Sequence, residues 1–225
     1  MWTLLFDIDG TLLRTGGAGW LAIERAMGEL HGTRQVPKIP VGGRTDKGIF
    51  VDLFEAAGID FSAEAYDEFR GLYHDYLPQM MHETGARLLP GVSELLEILG
   101  KRSDVSLGLL TGNSESAAKV KVDHFGLGGY FKFGGFGDQH AERDKVAEAA
   151  VTAAQAVLPS FESSETWVIG DTIHDITCAR SVGAKVLAVT TGSGKRDELN
   201  DHAPDLLFDD LADHQAFLSL VLGQA

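Results

Sequence analysis

The stretch Thr3-Leu4-Leu5-Phe6-Asp7-Ile8-Asp9-Gly10-Thr11-Leu12 constrains this 225-residue chain more than any other. Apolar and β-favouring residues run straight into a carboxylate. A second carboxylate follows two positions on, then a glycine. A short apolar run bounded by Gly reads as a buried strand. Side chains alternate along a strand, so Asp7 and Asp9 share one side while Ile8 faces the core. In open α/β sheets ligands bind outside the C-terminal ends of the strands, where both acids are delivered. Two carboxylates about 4 Å apart repel by roughly 4 kcal/mol at an effective dielectric of about 20. A proton, a cationic side chain or a metal must offset that cost.

Downstream of Pro90 the pattern alternates. Gly91 to Arg102 reads as an amphipathic helix, Val105 to Leu110 as a strand, and the next helix runs to about His124. Tyr130 to Phe136 is expected to be a short, Gly-interrupted strand. Asp144 to Leu158 is an Ala-rich helix, Thr166 to Ile169 a strand, His174 to Val182 a helix and Ala184 to Val189 a strand. Leu206-Leu207-Phe208 is a candidate edge strand before a C-terminal helix. Strands alternating with helices point to a doubly wound, Rossmann-like α/β core with a parallel sheet.

Residues 16–85 break that rhythm. Trp20, Ile23, Met27 and Leu30 recur at helical spacing, and so do Ile49, Leu53 and Phe54. Ser62 and Thr45 are candidate helix caps, and Pro78 is a candidate kink. The expected organisation is an α/β core of residues 1–15 and 86–225, with an all-helical insert of residues 16–85 after the first strand. The glycines at 16, 17 and 85 would be its hinges.

The balance of charge narrows the partners. Thirty-three acids against 19 bases give a formal net charge of −14. Such a surface repels nucleic-acid backbones and anionic membranes. Any phosphate site must therefore be a local cationic pocket. The single Cys178 excludes an intramolecular disulfide and fits a reducing cytoplasm; a buried spectator thiol is expected. Neither a leader peptide nor a run of 18 apolar residues is evident. A monomer or weak homodimer is expected. His31, His74 and His82 lie in the insert and lack metal-site spacing.

Three strands end in chemistry-bearing residues: Asp7-Ile8-Asp9, Thr111-Gly112-Asn113, and Gly170-Asp171-Thr172-Ile173-His174-Asp175. A parallel sheet brings these ends to one edge. Acids from two strands plus a hydroxyl and an amide from a third make a metal-and-phosphate pocket. Its oxygen-rich donors suit Mg²⁺.

Asp-Ile-Asp-Gly-Thr-Leu at 7–12, Leu-Leu-Thr-Gly-Asn at 109–113 and Gly-Asp-Thr-x-x-Asp at 170–175 resemble three motifs of the haloacid dehalogenase superfamily. They stand in that family's order, and the helical insert stands where it keeps a cap. The branch resembled is the phosphoglycolate phosphatase-like one. The resemblance implies a Mg²⁺-dependent phosphatase of a small phosphorylated metabolite. Asp7 would be the nucleophile that becomes an aspartyl phosphate. Asp9 would act as acid and then base, its carbonyl also a metal ligand. Asp7 and Asp171 would be the carboxylate ligands of the metal, and Asp175 would hold a water on it. Thr111 and the amides of Gly112 and Asn113 would bind phosphoryl oxygens, with Gly10 beside them. The third motif's cation is Arg143 or Lys145; Arg143, ahead of the Ala-rich helix, fits better. Apart from the resemblance, Arg44 and the Gly16–Gly19 segment, with Gly17, are candidates for contacting the substrate.

Dehalogenases lack an acid at the place of Asp9, so its presence argues for phosphoryl transfer. Phosphosugar mutases of the same fold carry a His where this chain has Gly19, which counts against that alternative. A catalytically silent binding module would not need every charged position filled. Phosphoglycolate phosphatases usually carry Asp where this chain has Arg14, a departure that bears on the substrate.

Overall fold

The computed structural model describes residues 1–32 and 36–223. Leu4, Leu5 and Phe6 are fully buried, because β1 (Trp2–Phe6) lies inside a six-stranded sheet. Its neighbours are β4 (Val105–Leu110) and β6 (Thr166–Gly170). Beyond them lie β5 (Gly134–Gly135) on one side, and β7 (Lys185–Val189) and β8 (Leu206–Phe208) on the other. Every pairing in this sheet is parallel. Parallel strands are covered on both faces and read as continuous apolar runs.

The side-chain alternation divides those runs between two cores. Leu4, Phe6, Leu107 and Ile169 pack with α4 (Val92–Gly100), α5 (Glu115–Asp123) and α9 (His214–Leu222). Leu5, Leu110, Val168 and Val186 pack on the opposite face with α6 (Arg143–Val157) and α7 (Ile173–Ser181). The Rossmann-like expectation for the core holds.

The described residues between 18 and 83 form three helices: α1 (Ala18–His31), α2 (Asp46–Ala57) and α3 (Ala63–Glu83). They share an apolar cluster of their own around Met27, Phe50, Phe54, Phe69 and Leu77. Phe50 meets the Phe69 and Tyr73 rings edge-on at centroid distances of 5.0 and 5.2 Å, a favoured aromatic geometry. Thr45 and Ser62 cap α2 and α3, accepting from the Gly48 and Ala65 amides. Pro78 lies within α3, which runs on to Glu83.

Other local expectations are corrected. The segment from Tyr130 to Phe136 yields only the two-residue β5, preceded by a 3₁₀ turn at Gly128–Tyr130. Its aromatic residues are spent on packing: Tyr130, Phe131 and Phe136 lie against one core and Phe133 against the other. A short antiparallel pair, β2 (Leu13–Arg14) with β3 (Arg87–Leu88), joins the two ends of the helical region. A helix α8 (Arg196–Asp201) follows the 192–195 loop. Two-residue strands and one-turn helices carry no periodic signal for a sequence to show.

Candidate active site

β1 sits where the sheet order turns, with β4 on one side and β6 on the other; crevices open at such points. Phe6 registers with Leu109 and with Ile169. Asp7, Thr111 and Asp171 therefore emerge one or two residues later at the same edge. Asp7 extends the ladder, its amide donating to the Ile169 carbonyl at 2.9 Å.

Three carboxylates converge there. Asp7, Asp171 and Asp175 are all buried, and each places one oxygen within 4.8 Å of the others. Burial first, then the Asp175 charge, pushes the Asp7 carboxyl well above its usual range, against the pull of Arg143. The same two causes raise Asp171 to about 7.

Arg143 is the buried counter-ion, 3.6 Å from Asp7 and hydrogen-bonded to Asp175 Oδ1. Burial alone would lower its pKa, but Asp175 and then Asp7 outweigh that and keep it charged. Lys145 is a correction. It lies on the exposed side of α6, bonded to Glu148 at 2.8 Å, and does not line the cavity. Residues two apart on a helix do not share a face.

The trio fits a divalent cation by its donors. Asp171 Oδ1 is buried without a partner, while its Oδ2 accepts the Ser193 amide at 2.7 Å. Both Asp175 oxygens are engaged, Oδ1 by Arg143 and Oδ2 by the Thr172 amide and hydroxyl at 3.0 and 2.8 Å. Asp7 and Asp171 are thus the available direct donors. A set of hard oxygens suits Mg²⁺ or a similar cation.

Asp9 stands apart from the trio, on a second network. Asn113 Nδ2 donates to Asp9 Oδ2 at 2.7 Å and to Thr111 Oγ1 at 2.8 Å. Lys121 Nζ donates to the same Asp9 oxygen at 2.6 Å and to Asn113 Oδ1 at 2.5 Å. Sequence reading missed Lys121, which passes for a helix-surface lysine. A signal existed: it falls four residues after Ala117 and three after Ala118, on the buried face of α5.

A cavity of about 630 Å³ opens above these groups. Trp20, Ile23, Ile49 and Tyr73 wall its helical side. The start of α2 is docked on the segments after β4 and β5. The amides of Asp46 and Lys47 donate to the carbonyls of Gly112 and Gly137 at 2.7 and 3.1 Å. The Ser114 amide donates to Asp46 Oδ2 at 2.8 Å, and Thr45 Oγ1 donates to the Ala141 carbonyl at 2.9 Å. Asp46 is buried, which raises its carboxyl pKa.

Gly10 and Gly17 also line the cavity. Gly10 has φ +87°, and a Cβ there would meet the Asp171 carboxylate at 2.7 Å, so only glycine fits. Arg44 lines the cavity, but its guanidinium is tied to Asp52 at 2.7 Å and to the Pro40 and Gly48 carbonyls. Ser193, from the Gly-Ser-Gly loop, serves Asp171. His74 is half-buried against Ser114 Oγ at 2.7 Å, and burial lowers its pKa.

Residues 4–189 match the family model of haloacid dehalogenase-like hydrolases. The phosphoglycolate phosphatase 1 of Pseudomonas aeruginosa is 25% identical over 226 residues, covering 93% of this chain and 77% of that protein. The pyrophosphatase PpaX of Anoxybacillus flavithermus is 27% identical over 237 residues, covering 97% of each. A crystal structure of a hydrolase from Pseudomonas syringae aligns with TM-score 0.73 at 20% identity, covering 97% of this chain and 98% of that one. With three ordered motifs, the parallel core and a family match over most of its length, the chain belongs to the haloacid dehalogenase-like hydrolases and is similar to their phosphoglycolate phosphatases.

Proposed function

We propose that this chain is a Mg²⁺-dependent phosphatase that hydrolyses a small phosphomonoester through an aspartyl phosphate on Asp7. The observation that carries the reading is the position of Asp7. It is a buried carboxylate facing a cavity, backed by Arg143 and within 4.8 Å of Asp171 and Asp175. The names of the relatives support the same reaction class.

Asp7 and Asp171 would hold the cation, which would supply neutralisation of charge on the phosphoryl oxygens. Arg143 holds Asp7 and Asp175 in register. Asp7 Oδ attacks phosphorus as the ester oxygen departs opposite. Asp9 gives its proton to that oxygen, then takes one from the water that cleaves the acyl phosphate. Thr111, Gly112 and Asn113 frame the phosphoryl group. Asn113 and Lys121 orient Asp9. The segment 16–85 acts as the lid, and its apolar wall excludes water.

The test is phosphate release from a panel of small phosphomonoesters in Mg²⁺ and in chelator, with Asp7→Asn as control. Wild-type turnover should require the cation, and the variant should lose at least about 10⁴-fold. Equal turnover by the variant, or full activity in chelator, would overturn the reading.

A further inference from the structure

Among the described residues, five cationic side chains line the cavity: Arg14, Arg44, Arg87, Lys121 and Arg143. Three are neutralised by carboxylates. Arg44 pairs with Asp52, Lys121 with Asp9, and Arg143 with Asp7 and Asp175. Among the described residues Arg14 and Arg87 pair with no acid, in a chain with 33 of them.

These two are direct neighbours. Arg14 and Arg87 occupy opposing positions of the antiparallel β2–β3 pair. Opposing residues project from the same face with Cβ atoms about 4.5–5.5 Å apart, and like charges there destabilise the pair. The Arg14 guanidinium donates to the Thr191 carbonyl, from Nε at 3.0 Å and from Nη2. That contact fixes its orientation and leaves its charge uncompensated. Arg87 is exposed, and its side chain makes no hydrogen bond or ion pair among the described residues. The β2–β3 pair also joins the two ends of the helical segment, and both side chains line the cavity there.

We infer that Arg14 and Arg87 form a subsite for a second anionic group, a carboxylate or phosphate, on the part of the ligand that is not transferred. The inference rests on the phosphatase reading, with the reacting phosphoryl group on Asp7. A guanidinium fork matches the oxygens of either anion. An anionic tail between the two arginines relieves their mutual repulsion, and the apolar wall accommodates the carbon chain that links the two ends.

Calorimetry in Mg²⁺ buffer tests this without turnover. The probes are ω-carboxyalkylphosphonates of two to six carbons, ω-phosphonoalkylphosphonates of the same lengths, and plain alkylphosphonates. At one or more lengths a second anion should tighten binding at least about tenfold over the plain chain. That advantage should fall below about threefold in Arg14→Gln and Arg87→Gln. Methylphosphonate affinity should hold in both variants, which also shows that they fold. The carboxylate and phosphonate series decide which anion is preferred. If no tail improves binding, or the improvement survives both substitutions, the subsite is refuted while methylphosphonate binding leaves the phosphatase reading standing. If methylphosphonate itself does not bind the wild type, both fall.

Discussion

Lys121 Nζ lies 2.6 Å from Asp9 Oδ2, and the lysine is buried while the Asp9 side chain remains 42% exposed. A cation buried in one helix is thus spent on orienting a carboxylate carried by the first strand. Asn113 completes the arrangement by donating to the same oxygen.

The first prediction follows from that pair. If Lys121 positions the leaving-group acid, Lys121→Met should slow alkyl phosphates about 10- to 100-fold. It should slow the p-nitrophenolate burst from p-nitrophenyl phosphate far less, because p-nitrophenolate leaves without a proton. Asp9→Asn should show the same split in that first step, while also slowing the hydrolysis of the aspartyl phosphate that both substrates share. An equal loss in the first step on both substrates would assign Lys121 a purely structural role.

The crowded acids make the metal-free protein pH-sensitive. Burial raises Asp171 to about 7 from an unfolded value of about 3.9. Between those values the folded state binds more protons than the unfolded one, so stability falls as pH rises from about 4 to about 7. In chelator, Tm should therefore be higher at pH 5.5 than at pH 8, and Asp171→Asn should flatten that slope. Adding Mg²⁺ at about 100 times its Kd should stabilise the wild type by about 2.7 kcal/mol. For a chain of this size that is a rise of about 5–10 °C. A Tm indifferent to both pH and Mg²⁺ would contradict the proposed cation site.

The contact between the helical segment and the loop after β4 is tight at Gly112. A Cβ there would fall 2.0 Å from the Arg44 carbonyl oxygen. Gly112→Ala should cost about 1–3 kcal/mol in overpacking. Relief of the clash should separate α2 from the loop, weakening protection of the Asp46 and Lys47 amides that bond to Gly112 and Gly137. Hydrogen exchange reads this directly. Unchanged protection would mean that the neighbouring backbone absorbs the methyl group.

Cys178 is fully buried, and burial pushes its thiol up to about 12. Neither exposure nor thiolate character is available for reaction. Ellman's reagent at pH 8 should titrate no thiol in the native protein and one after unfolding.

The sheet was legible because its strands are short apolar runs between turn residues, and their order alternates with helices. Asp7, Thr111 and Asp171 could be placed together for the same reason: parallel strands deliver their C-terminal ends to one edge. The cap residues Thr45 and Ser62 were legible because capping is local, between a side chain and an amide three residues on.

What tertiary structure alone decided were pairings across the chain. Arg143 and Lys145 look alike in sequence; helix phase turns one into the site and the other into solvent. Lys121 acquires its partner from a residue 112 positions away. Arg14 meets Arg87 through a two-residue pairing too short to leave a pattern. Local hydrophobic periodicity determined the elements. Which charges are buried together, and which go without a partner, depends on the packing of separated segments, where desolvation and Coulomb energy are settled.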